Sequence, residues 1–265
     1  MRRILHTFLL LLALPLGSRA EPRQLVVTTT LIETAVRDLL GEAATIARLL
    51  PPGSCPGHFD LEPRQATALG RAKLVIRHDY QAGMDERLIQ TGVPSNQIVS
   101  LTSHPSFAIP GAYLALCAEL AERLAGCWPE QAPALQEQLA AVRAQGAAAE
   151  LELAERLRPL RGRKVLAARY QKDYCVWAGL EVVAVFQAGT DESAWQLSRA
   201  VDMARTAGAQ AVIGNRQWGD RHLAALTEAT GLPGVLLSNF PHQGGRGAYW
   251  IFVEENVQAL LTGLP

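Results

Sequence analysis

An excess of charge of either sign is the first thing this 265-residue sequence lacks. Twenty-five basic residues face twenty-five acidic ones, and lysine is confined to Lys73, Lys164 and Lys172. No basic stripe is visible, which excludes the usual electrostatic footprint of a nucleic-acid-binding surface. There is no G-x-S-x-G, no P-loop, no G-x-G-x-x-G after a strand and no C-x-x-C, so the common nucleophile, nucleotide and dithiol motifs are absent. Beyond residue 20 no apolar run approaches the roughly 20 residues that cross a bilayer. What is present is ordinary globular composition: 49% hydrophobic and 19% charged, with a mean hydropathy of +0.07.

Four cysteines could form disulfides in an oxidising compartment, but their positions assign no pair. Cys117 and Cys127 lie on one expected helix, about 15 Å apart at 1.5 Å per residue, beyond bridging distance unless that helix breaks at Gly126. Cys55 and Cys175 fall in loops or helix starts, and free thiols are expected throughout.

The N-terminus reads as an export signal. Arg2 and Arg3 precede an apolar stretch over 4–16, and Ser18 and Ala20 place small residues before a cleavage point after Ala20. Residues 1–20 are therefore expected to be removed, leaving a periplasmic chain.

From residue 24 the chain alternates short apolar runs with helical patterns. Strands are expected at 24–29, 44–50, 74–77 and 97–101, with helices at 30–41, 63–71 and 84–90. The first helix opens on a capping-box pattern, Thr30 to Glu33, and stops at Gly41. Helices then follow one another, at 110–124 and over the long span 130–158. Alternation resumes with strands at 164–168, 181–186, 211–213 and 235–237 and helices at 171–178, 191–207, 220–231 and 249–261. The prediction is an α/β protein of two lobes, 21–128 and 161–265, each a parallel sheet flanked by helices. One long rigid spine helix within 129–160 joins them.

Ligands of open parallel sheets bind beyond the carboxyl ends of the strands, and histidines gather at those positions. His58 follows the second strand, His78 ends the third, His104 follows the fourth, and His242 follows the last; His222 lies within a helix and reads as a surface residue. Convergent imidazoles suit Zn²⁺, so His58, His78, His104 and His242 are the candidate metal ligands.

Several segments together resemble the metal-binding solute-binding proteins of bacterial zinc and manganese ABC importers. Leu49-Leu50-Pro51-Pro52-Gly53 and His58-Phe59-Asp60-Leu61-Glu62-Pro63 are similar to that family's Pro-Pro-Gly … His-x-Tyr-Glu-Pro stretch. Ala72-Lys73-Leu74-Val75-Ile76 is similar to its Ala-Asp-Leu-Ile strand, and Ser103-His104-Pro105 to its second histidine segment. Gly179-Leu180-Glu181-Val182-Val183 and the closing helix from Tyr249 match in spacing. The resemblance implies a two-lobed, helix-spined fold that captures a divalent metal in the periplasm and passes it to a membrane permease, without catalysis and as a monomer. It also implies that His58 and His104 are ligands.

The family's other two ligands are not in place. Its third, a His or Glu, would fall within Ala168-Arg169-Tyr170-Gln171, and its fourth, an Asp, at Ser238-Asn239. His78, His242, Gln171 or Asn239 are left to complete the shell, and the imidazoles favour Zn²⁺ over Mn²⁺. Two other readings remain open. One is a relative that binds a different small ligand or a metal chelate in the same cleft. The other is a metalloenzyme using Asp60 or Asp79 as base.

Overall fold

The computed structural model describes residues 23–52, 63–187 and 194–265. The expected signal segment lies outside these residues, as do His58, Asp60 and Cys55. The chain forms two four-stranded parallel sheets. The first contains β1 (Arg23–Val27), β2 (Ala44–Arg48), β3 (Leu74–His78) and β4 (Ile98–Leu101); the second contains β5 (Lys164–Ala168), β6 (Glu181–Phe186), β7 (Ala211–Asn215) and β8 (Gly234–Leu237). Their strand orders are β2-β1-β3-β4 and β6-β5-β7-β8, so one topology occurs twice. Central strands are covered on both faces and therefore read as continuous apolar runs: β3 and β7 are buried at every residue, whereas the edge strands β2 and β6 are buried only in part.

Helices α1 (Thr30–Leu40), α2 (Pro63–Leu69) and α3 (Asp85–Gln90) flank the first sheet; α6 (Lys172–Trp177), α7 (Ala194–Ala207), α8 (Asp220–Thr230) and α9 (Ala248–Gly263) flank the second. Between them run α4 (Pro110–Cys127) and the spine α5 (Ala132–Leu157). The spine has 26 residues, about 39 Å at 1.5 Å per residue. A 3-10 turn over Pro129–Gln131 precedes it, since Pro129 and Pro133 lack the N–H that a continuous helix needs. Its buried positions Leu135, Leu139, Val142, Gly146, Leu153 and Leu157 repeat at helical spacing and form an apolar stripe, with Ala149 between them only partly buried. α4 approaches closely at Gly146: a Cβ there would stand 2.8 Å from a Leu114 methyl, so that side chain would have to shift.

One local detail differs from expectation. The α1 cap is Thr29, whose hydroxyl accepts from the Ile32 N–H at 3.3 Å, and Glu33 turns away to pair with Arg48 rather than closing a capping box from Thr30. Cys117 and Cys127 do share one unbroken helix, and Cys117, Cys127 and Cys175 are free thiols. Gly41 ends α1 as expected, at φ 56°, a conformation costly for residues with a Cβ.

One apolar core runs through both lobes and the spine. It includes Leu31 and Ile32 of α1, Tyr113 and Leu120 of α4, Leu139 of α5, Val165 of β5 and Phe252 of α9. Tyr113 and Tyr249 stack across it with ring centres 3.7 Å apart. Asp38, buried on α1, accepts from the Tyr113 hydroxyl at 2.6 Å and from the Gly247 N–H, ahead of α9, at 2.8 Å. Burial raises the Asp38 carboxyl's pKa, and these hydrogen bonds together with Arg246 offset part of that rise.

Candidate metal and ligand site

In both sheets the strand order reverses between neighbouring central strands, β1 and β3 in one, β5 and β7 in the other. Loops diverge there and leave a crevice at the carboxyl ends. The two crevices face each other across a cleft of about 460 Å³. The first lobe contributes Tyr80 and the segment Ser103 to Phe107 that follows β4. The second contributes Tyr170 after β5, Asn215, Gln217 and Trp218 after β7, and Asn239 and Phe240 after β8.

His104 is on the cleft wall, with its ring edge-on to Phe107 at 5.9 Å between centres. His78 ends β3 at the reversal point but is fully buried behind that wall, against Tyr80, Phe107 and Phe240. Its Nε2 lies 3.1 Å from the Thr29 hydroxyl, and its Nδ1 has no hydrogen-bond partner among the described residues. Desolvation pushes its pKa down to about 3, the nearby Asp79 opposing only in part, so the ring is neutral at ordinary pH. His242 is part-exposed beside Glu255, 3.4 Å away, and lines a separate pocket with residues of the 243–246 loop and α9. The structure thus brings His104 to the cleft and leaves His78 and His242 off its lining. His222 is exposed on α8.

Where ligands from the second lobe were sought, the chain places amides. Gln171, fully buried, donates from Nε2 to Asn239 Oδ1 at 2.7 Å and lies 3.4 Å from Asn215 Oδ1. Gln217 donates to the Ser238 hydroxyl at 2.9 Å and accepts from the Asn239 N–H at 3.0 Å. Asn256 of α9 grips Ser238 by both its backbone groups, each at 2.9 Å. These bonds fix the turn after β8 and aim Asn239 into the cleft without adding charge. Asp79, which follows His78 in the chain, is turned toward Ser103. Its slight burial disfavours ionisation, but hydrogen bonds with Ser103 and the Tyr80 N–H outweigh that and hold its pKa down. Among the described residues no three His, Cys, Asp or Glu side chains gather as a metal cage.

Sequence reasoning passed over Asn215, Gln217 and Trp218. Reading β7 as ending at Ile213 hid them; extending the strand by two residues puts them where the carboxyl-end rule looks.

Two parallel-sheet lobes on a helical spine, with a cleft between their carboxyl ends, define a two-lobed binding protein. Residues 25–263 match the family model described as zinc-uptake complex component A, periplasmic (ZnuA), and the chain belongs to that family. Its members are periplasmic metal-binding proteins, not enzymes. Among solved structures, a zinc-bound ZnuA deletion mutant superposes with a TM-score of 0.75 at 17% identity, covering 92% of this chain and 98% of the other. FpvC from Pseudomonas aeruginosa in complex with Mn²⁺ gives 0.74 at 18%, covering 92% and 98%. The periplasmic zinc-binding protein TroA from Treponema pallidum gives 0.73 at 15%, covering 91% and 99%. A comparison with curated protein sequences returned no match.

Proposed function

We propose that the chain is exported by cleavage after Ala20 and captures a divalent metal, zinc in preference to manganese, in the cleft between its lobes. It then hands the metal to the permease of an ABC importer, acting as a monomer. His58 and His104 are the anchoring ligands. The observation that carries this reading is the placement of His104 on the wall of a cleft built from the carboxyl ends of both sheets, in a chain of the ZnuA family. Imidazole anchors favour zinc, because manganese sites draw on carboxylates.

The test is elemental analysis of protein purified from the periplasm, followed by titration of the stripped protein with zinc, manganese and nickel separately. About one zinc per chain, with zinc rebinding more tightly than manganese, is the expected result. His58→Ala and His104→Ala should each remove most of the affinity, while His242→Ala should leave it unchanged. Zinc binding by His104→Ala equal to that of the unaltered protein overturns the reading.

The amides at Gln171 and Asn239 favour a second reading in one respect: they supply no charged donor to a bare dication from the second lobe.

A further inference from the structure

The cleft is much larger than one metal ion requires. Its volume of about 460 Å³ falls within the roughly 300–1,000 Å³ of sites that enclose small organic molecules. Its walls also have the composition of such sites, mostly apolar and aromatic with a few placed polar groups. Tyr170 and Trp218 stand 5.4 Å apart on one side, and Phe107 and Phe240 lie 6.5 Å apart across the lobes.

The donor set points the same way. Among the described residues lining the cleft there is one imidazole, His104, and no carboxylate or thiol. The second lobe offers Asn215, Gln217 and Asn239, whose neutral oxygens are weak ligands for zinc. A dication leaving water must be compensated by anionic or strongly basic donors. A complex whose organic ligand already supplies most of the donors needs only one or two from the protein. Its flat face can then rest on aromatic rings and its edge can bond to amides.

We infer that the cleft of this chain takes its metal as a complex with a planar heteroaromatic chelator, ligated by His104 and packed against the tilted Tyr170–Trp218 pair. This inference rests on the reading of the chain as a metal-capture protein and narrows the cargo of that same site.

The test uses the full mature chain, stripped of metal and titrated calorimetrically with three probes: zinc chloride, 1,10-phenanthroline, and their equimolar complex. The complex should bind about ten-fold or more tighter than either component, since two aromatic contacts contribute on that order. Trp218→Ala should bring the affinities for complex and free zinc back toward equality. Tyr170→Ala, at a ring that is half exposed, should act in the same direction and guards against a folding defect in the tryptophan variant. Equal affinity for free zinc and for the complex overturns the inference and leaves metal capture standing. Equal affinity for phenanthroline with and without zinc overturns it in favour of an organic ligand. Failure of zinc to bind, free or chelated, overturns both this inference and the reading on which it rests.

Discussion

Replacing His78 by phenylalanine should reverse the order of stability between neutral and mildly acidic pH. The ring of His78 is fully buried, and burial lowers its pKa from 6.5 to about 3. A depressed native pKa means that the unfolded chain binds the proton and the native chain refuses it. The contribution to stability is therefore intact above pH 6.5 and is lost as pH falls from there toward 3. Each pH unit in that window costs about 1.4 kcal/mol, so descending from pH 6.5 to 5 costs about 2 kcal/mol. Phenylalanine keeps the ring contacts with Tyr80, Phe107 and Phe240 but does not titrate. It gives up the bond to Thr29, whose hydroxyl still accepts from the Ile32 N–H, at a cost of about 1 kcal/mol. His78→Phe should then be about 1 kcal/mol less stable than the unaltered protein at pH 7 and about 1 kcal/mol more stable at pH 5.

Urea unfolding of both proteins at the two pH values measures this directly. Asp79, already held low, titrates below the window. Parallel pH profiles for His78→Phe and the unaltered chain would show that His78 is protonated in the native state, and the burial argument would fall.

Three further perturbations follow from the same geometry. Tyr113→Phe removes a donor from the buried Asp38 carboxyl and should cost about 1.5–3 kcal/mol in urea unfolding at pH 7, as loss of a hydrogen bond to a charged group does; an unchanged midpoint would deny the contact. Gly146→Val drives a side chain into Leu114 where the spine meets α4, and should destabilise by about 1–3 kcal/mol in the same assay. Asn239→Asp puts a carboxylate on the cleft wall while keeping the Gln171 Nε2 donor. It should tighten binding of free zinc about ten-fold, the equivalent of 1.4 kcal/mol, and calorimetry showing no gain would argue that Asn239 does not face the bound metal.

Most of the fold was legible because its central strands are buried on both sides and announce themselves as apolar runs closed by glycine, proline or a polar turn. The spine was legible from the spacing of Leu135, Leu139, Val142 and Leu153, although the prolines that start it late marked the boundary better than periodicity did. At the site, the carboxyl-end rule led to the strand ends where the cleft lies, with Asn239 on its wall and Gln171 buried behind it. The sequence could not show that Phe107 and Phe240, over a hundred residues apart, close over His78, because that burial is made by two different lobes. Nor could it show that the turn following Asn239 carries His242 away to Glu255 and a separate pocket. A histidine's position in the chain gives its distance from a strand end, but not the direction of its ring.

The shared core bears on how such a protein holds and releases its cargo. A wide hinge motion would have to part Tyr113 from Tyr249, release the Gly247 N–H from Asp38, and break the paired contacts of Arg156 with Glu254, both at 2.6 Å. The exposed ion pair adds little, but fully exposing even a few of the large apolar side chains in that core costs about 1.5–3 kcal/mol each. Large opening is therefore the expensive route, and the cleft is best regarded as preformed. In a preformed cleft, selectivity rests on the donor set rather than on closure. Asn239 stands on the cleft wall, and by being neutral it tilts the choice toward the inferred cargo that brings its own ligands.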